Sequence, residues 1–384
     1  MLQIDHIYEF LYQELFKDFE LIHLFDGIPK LGDINLHDIS VFTHEKAVDR
    51  KIFFYDQEPF IHQLANPYMS LFTNPSDSRS GILVTSEHSK DLPNNVKLLY
   101  YFFHGFAAMD WYRGHHALNY NKLIVKQYKH DFITFNRIIN YDRSYRIYFV
   151  SLLKDRGLID HGLISFGVTD NLFEDWRDET ADPNSKLSEQ AKYHIEQHLV
   201  DIDKLIIDHA ELPGSASANI PRTIPGYWPN NDQPNVDAFW HIVTETVFYY
   251  DKLHLTEKIF KPIVSKQPFM LLAAPGNLAY LKRYGFKTFN SVIDESYDNI
   301  QDNDLRTEAV VHQLHWYCNL TPSEKTDIIQ QLEPIIEYNF HHFYGEFRQI
   351  ITRELLDNTK TLFKELGYDD SHINYTNIHH VLTH

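Results

Sequence analysis

The sequence predicts an α/β protein of two domains, and three observations carry that expectation. Within the first hundred residues, short β-rich apolar runs alternate with turn-rich connections. Phe132–Phe166 then reads as strand, arginine-bearing loop, helix and strand, a βαβ unit of ordinary length. Phe239–Pro275 reads as strand, loop, helix start and strand. The length of 384 residues exceeds the usual size of one domain, which makes two the expected number. The polar break at Gln127–Asp131 places the boundary, giving 1–128, 129–340 and a C-terminal helix and tail over 341–384.

The elements follow in order. Asp5 caps a first helix over Asp5–Glu20, with Ile7, Phe10, Leu11 and Leu15 on one face. Strands are predicted at Ile39–Thr43, Lys51–Tyr55, Ile82–Ser86 and Val96–Tyr100. Asn74–Asp77 and Pro93–Asn95 are turns between them. Phe132–Phe135 is a strand, Ser144–Arg156 a helix closed by Gly157, and Leu163–Phe166 the next strand. A long helix is predicted over Lys186–His209. The Pro- and Gly-rich stretch Pro213–Asn235 then reads as a substrate-facing loop carrying Tyr227 and Trp228. Thr256 is the N-cap of a helix whose first residue is Glu257, and Pro262 keeps that helix short or kinked. Pro268–Leu272 is too short an apolar run for most helices and reads as a strand. Gly276–Tyr284 is a short helix ended by Gly285, Phe286–Phe289 a further strand, and the acidic Ile293–Asp298 a solvated turn. Thr321-Pro322-Ser323-Glu324 has the form of a capping box and starts a helix to Tyr338. A last helix covers Gly345–Leu366 and the tail after it frays.

Composition narrows the function classes. The net charge of −18 opposes broad binding to a phosphate backbone. Cys318, the single cysteine, excludes an intrachain disulfide framework and a cysteine-based zinc site, and fits a reducing, cytoplasmic compartment. The N-terminus lacks the pattern of a signal peptide, and no window is apolar enough for a membrane span. The pairs His341-His342 and His379-His380 are adjacent and do not share a helix face, so no metal site is expected. Aromatic residues reach 15%, which suits an aromatic-rich core first and a ring-lined cleft for sugars or bases second.

The candidate polar set is Glu58, Arg146, Glu245, Thr246, Glu257 and Lys258. There is no GxGxxG and no P-loop, so neither a standard dinucleotide site nor a Walker site is indicated. Arg146 and Lys258 lie at loop-to-helix junctions. Two cations and helix N-terminal N–H groups can hold a diphosphate without a metal and neutralise it as a leaving group. Glu257 is placed to hydrogen-bond sugar hydroxyls. Glu58, in Asp56-Gln57-Glu58-Pro59 at a strand end, is placed to deprotonate an acceptor hydroxyl. His104, after a strand in YFFHGFAAMD, joins Tyr227 and Trp228 as a candidate acceptor-side or cleft residue.

Glu245–Pro275 resembles the donor-binding motif of family 10 glycosyltransferases, the α-1,3-fucosyltransferase type. That motif is a Phe-Glu-Asn segment, then Tyr-x-Thr-Glu-Lys, then a strand with proline. The match here is Glu245-Thr246, His254-Leu255-Thr256-Glu257-Lys258 and Pro268. Thr134–Leu153, with Asn136 and Arg146, is similar to the family element that brings an arginine to the donor phosphates. Asp56–Pro59 looks like its glutamate-bearing strand end. The resemblance implies a GT-B fold of two Rossmann-like domains facing a cleft. It also implies inverting transfer from a nucleotide-sugar donor without an essential metal, and Glu58 as base. Thr246 stands where the family has asparagine and His254 where it has tyrosine, both at donor contacts. The resemblance makes a GDP-sugar the favoured donor, with a UDP-sugar as the alternative, and the two departures leave the sugar open. The pattern also looks like phage-encoded glycosyltransferases, which would place the protein in a host cytoplasm. A glycan hydroxyl is the expected acceptor. The alternatives are a hydroxymethylated base in phage DNA, against which the net charge counts, and non-catalytic binding of a sugar or nucleotide. Acceptor, linkage and oligomeric state are left open.

Overall fold

The structure, a computed structural model, describes residues 4–17, 19–23, 51–56, 59, 81–88, 96–113, 128–136, 138–139, 141–166, 175–199, 235 and 237–373. Contacts divide the chain into two units, Met1–Asp110 with Gly345–His384, and Trp111–Tyr344. The polar break at Gln127–Asp131 lies inside the second. No described helix is long and apolar enough to cross a membrane.

In the first unit, α1 (Ile4–Glu9) runs on as a π-helical stretch, Phe10–Leu15. The Phe16 N–H reaches back five residues to the Leu11 carbonyl, at 2.9 Å. The helix expected through Glu20 stops there because Glu20–His23 is β1, a strand absent from the sequence reading. β2 (Lys51–Tyr55), β3 (Gly81–Thr85) and β4 (Val96–Tyr100) match expectation to within a residue. The strand expected at Ile39–Thr43 falls outside the described residues. The four strands are parallel in the order β1-β2-β3-β4. Ile52–Tyr55 and Ile82–Val84 are buried at every position. A parallel sheet covered on both faces demands such unbroken apolar runs. α2 (Phe103–Trp111) follows and is buried from Phe103 to Asp110.

The second unit is built from β5 (His130–Asn136), α3 (Tyr145–Asp155), β6 (Gly162–Phe166), α4 (Trp176–Ala181), α5 (Glu189–His198), β7 (Ala238–Thr244), α6 (Glu257–Val264), β8 (Phe269–Leu272), α7 (Asn277–Arg283), α8 (Asn303–Cys318) and α9 (Pro322–Tyr344). Its strands are also parallel, in the order β6-β5-β7-β8. The chain leaves β5 for β6 on one side, then crosses to β7 on the other. Strand order therefore reverses between β5 and β7, and ligands of open parallel sheets bind outside the strand C-termini at such a reversal.

β7 (AFWHIVT) is buried at all seven positions. Both faces of this strand are therefore covered. The helix expected over Lys186–His209 begins at Glu189, where Ser188 caps it by accepting from the Ala191 N–H, and is described to His198. Phe286–Phe289 is not a strand. Its Phe289 N–H bonds to the Glu295 carboxylate and Lys287 pairs through both backbone groups with the Asn339 side chain. The acidic Ile293–Asp298 is not simply solvated either. Asp298 is buried and accepts from the Leu278 and Ala279 N–H groups at the start of α7, at 2.9 and 3.0 Å. α8 was not foreseen. It starts at an Asp302 cap, and its buried residues combine Val310, Leu314 and Tyr317 with Arg306 and Thr307. The capping box at Thr321 closes in both directions, with the Thr321 N–H on Glu324 at 2.8 Å and the Glu324 N–H on Thr321 at 3.4 Å. Gly157 ends α3 with φ of 69°, a left-handed conformation that favours glycine. The last helix, α10 (Glu346–Leu366), belongs to the first unit, where Phe347 packs edge-on against Phe102.

Candidate functional site

The C-terminal edge of the second sheet gathers most of the predicted polar residues. Glu245 follows β7 directly and is fully buried. Its Oε1 accepts from the Thr256 N–H at 3.1 Å. Its Oε2 accepts from the Thr256 hydroxyl at 2.6 Å and the Thr246 N–H at 3.2 Å. Burial pushes its carboxyl above the usual range, and the nearby Lys258 ammonium and the Thr256 hydroxyl pull the other way.

Thr256 is the N-cap of α6, as expected, with extended backbone at φ −106° and ψ −175°. One hydroxyl serves three partners. It donates to Glu245 and accepts from the Lys258 N–H at 3.4 Å and the Lys258 Nζ at 3.1 Å. That uses its one proton and both lone pairs. Lys258 Nζ also donates to Thr246 Oγ1 at 3.3 Å and Glu257 Oε1 at 3.1 Å. The Lys258 side chain is 36% exposed, so an anion in solution can reach it beside the N–H groups of the first turn of α6.

Arg146 is the second residue of α3, at the loop-to-helix junction expected of it. It is buried to 3% exposure. Its Nη1 donates to the Ile138 carbonyl at 2.8 Å, and its Nη2 donates to the carbonyls of Thr244 and Glu245 at 2.7 and 3.4 Å. It thus staples the chain leaving β5 to the chain leaving β7, and its charge faces carbonyl oxygens. Parallel strands end in unpaired carbonyls, and a planar fork of donors satisfies several at once. Arg306 of α8 repeats the device on the next pair, donating to the Phe248 carbonyl after β7 and the Ala273 carbonyl after β8. Burial lowers its pKa to about 10. Phe248 lies between the Arg306 guanidinium, 4.2 Å from the ring centroid, and the Tyr145 ring, stacked at 3.9 Å. The Tyr145 hydroxyl donates to the Glu245 carbonyl at 2.5 Å.

His254 is fully buried, and its backbone N–H is held by Asn277 Oδ1 at 2.9 Å. Asn277 also donates to the carbonyls of Lys252 and Ala274, so it pins the loop before α6. Lys261 was missed in the sequence. It is one turn after Lys258 on α6, buried, with Nζ 3.9 Å from the ring centroid of Phe135 at the end of β5. The spacing of three residues was the available signal, since such residues share a helix face.

Glu58 of the first unit and Tyr227 and Trp228 of the second lie outside the described residues. Asp56, just before Glu58, is buried at the end of β2 and accepts from the hydroxyls of Tyr8, at 3.1 Å, and Tyr101. Burial and the adjacent Asp56 charge push the Tyr101 phenol up. Glu87, also unforeseen, is fully buried just after β3. His104 is buried within α2, its ring edge-on to Phe103.

A scan against models of protein families finds no match, and a search of curated proteins finds none either.

Proposed function

We propose that the protein is an inverting glycosyltransferase of GT-B type, with the donor nucleotide sugar held by the second unit at the reversal between β5 and β7. The observation that carries this reading is the placement of Lys258. An accessible ammonium at the first turn of α6, ringed by the hydroxyls of Thr246 and Thr256, stands where an open parallel sheet binds ligands. Such a group neutralises charge on a diphosphate as it leaves.

In this reading the acceptor hydroxyl loses its proton to a base as its oxygen bonds to the anomeric carbon, and the bond from that carbon to the diphosphate oxygen breaks. Glu58 takes the role of base. Lys258 and the α6 N–H groups receive the nucleoside diphosphate, and Glu257 reads hydroxyls. Arg146 contributes by holding the two strand exits in register. A GDP-sugar is the favoured donor and a glycan hydroxyl the favoured acceptor.

A thermal-shift screen of GDP- and UDP-sugars tests the donor class. A ligand at a hundredfold excess over Kd stabilises by ~2.7 kcal/mol, which the melt resolves. Glu58→Gln should keep the shift and lose release of the nucleoside diphosphate to an acceptor mixture. No shift with any nucleotide sugar overturns the reading. A shift without release by the parent protein makes it a binding protein and not an enzyme.

A further inference from the structure

We propose that Asp155, His194 and His198 form a binding site for a divalent transition-metal ion of the zinc type, which clamps α5 to α3. The three residues lie in the second unit, apart from the edge described above. One ligand atom from each falls within 4.8 Å of the others.

His194 and His198 are four apart on α5, so both imidazoles point from one helix face. Their rings stack with centroids 4.3 Å apart. His194 Nε2 lies 3.7 Å from Asp155 Oδ2 and His198 Nδ1 lies 3.5 Å from Asp155 Oδ1. Ligand atoms around a tetrahedral zinc with bonds of ~2.0–2.1 Å stand about 3.3 Å apart. Turning the two rings out of their stack would let the set close on an ion, with a fourth position left for water.

The protonation state of His194 gives an independent argument. The Ser151 hydroxyl donates to the Tyr148 carbonyl at 2.7 Å. Its oxygen must then accept in its 3.0 Å contact with His194 Nδ1. Nδ1 therefore carries the proton, and the lone pair of a neutral His194 sits on Nε2. That lone pair faces the carboxylate of Asp155, an arrangement of two acceptors that a cation between them resolves. A ligating histidine that donates its other N–H to a fixed oxygen is the usual second layer of a metal site.

Helix ends add to this. Asp155 is the last residue of α3 and His198 the last of α5. A carboxylate at a helix C-terminus faces the negative end of the dipole, and a bound cation reverses that penalty. Arg156 Nε, 3.8 Å from Asp155 Oδ2, is the competing cation, and its side chain is 52% exposed and able to swing away. The cluster Asp131–His161–Cys318 is the weaker candidate because Lys325 Nζ already donates to both Asp131 oxygens, at 2.7 and 2.9 Å.

The test is calorimetric titration of ZnCl₂ into untagged full-length protein stripped with a chelator. Zinc should bind at one equivalent and raise the melting temperature. His194→Ala and His198→Ala should each weaken it by on the order of 100-fold, and Ser151→Ala by roughly 10–100-fold through the second layer. Asp155→Asn, at a partly exposed position, keeps the fold testable if a histidine variant does not fold. No saturable binding by the parent protein overturns the proposal. So does binding that survives in the His194 and His198 variants, including binding that only His161→Ala abolishes.

Discussion

On the proposed reading Lys258 acts toward a ligand as well as toward Glu245, whose carboxyl it draws down. Its ammonium is shared among Thr246, Thr256 and Glu257, all of which a phosphate can displace or join. A hydrogen bond to a charged group contributes about 1.5–3 kcal/mol, so Lys258→Ala should weaken nucleoside-diphosphate binding by roughly 10–100-fold. Unchanged affinity by calorimetry would remove Lys258 from the site. The same substitution should alter the pH response. Burial raises the Glu245 carboxyl and Lys258 opposes that rise, so its removal lifts the folded-state value further. An acid whose folded pKa exceeds its unfolded value holds its proton longer in the folded state. Stability then falls as pH rises from the ordinary carboxyl range, about 4.3, toward the folded value. The Lys258→Ala variant should show the steeper fall across that window, read by denaturant melts at a series of pH values.

At the scale of elements, the second sheet depends on stapled strand exits. Arg146 ties β5 to β7, and Arg306 ties β7 to β8. Arg146→Met keeps much of the side-chain bulk but orphans the Ile138 and Thr244 carbonyls. At roughly 1–3 kcal/mol for each unsatisfied buried group, the loss should be about 2–6 kcal/mol. It would appear as a lower urea midpoint at unchanged slope. A variant that keeps its midpoint but loses nucleotide binding would instead make Arg146 a ligand group. The staple also shows what sequence could and could not reveal. The cap at Thr256, the capping box at Thr321 and the strands around β7 were legible because their chemistry is local. The partners of Arg146 were not, because Thr244 lies 98 residues away, and an arginine at a loop-to-helix junction looks the same whether it faces phosphate or carbonyl. α8 escaped because Arg306 and Thr307 are on its buried side while Leu305 and Trp316 are exposed, which blurs the apolar period. His194 and His198 were not legible as a pair with Asp155, because Asp155 ends a different helix and only the fold brings it beside α5.

At the scale of the molecule, the chain visits the first unit twice, as Met1–Asp110 and Gly345–His384, and the second once, as Trp111–Tyr344. The second unit is thus continuous in sequence and holds, among its described residues, a four-stranded sheet, its flanking helices and all of Glu245, Thr246, Thr256, Glu257 and Lys258. The first unit needs its late return. α10 sends Asn358 Nδ2 to the Tyr100 carbonyl at the end of β4, at 2.9 Å, and Phe363 against Phe16 and Phe19 of the N-terminal segment. Gly105 of α2 has room for no larger residue without displacing Phe347, since a Cβ there would stand 3.1 Å from its ring. Two truncations should therefore behave differently. A fragment of residues 111–344 should fold cooperatively and keep the nucleotide-sugar affinity of the whole chain to within about tenfold, a margin of ~1.4 kcal/mol. A fragment of residues 1–110 without α10 should stay unfolded, because an uncovered sheet face leaves Phe16, Phe19 and Phe102 in water at about 1.5–3 kcal/mol each. Circular dichroism and urea melts decide between these states. A folded 1–110 fragment, or a 111–344 fragment that melts without cooperativity, would show that stability is not divided along these lines.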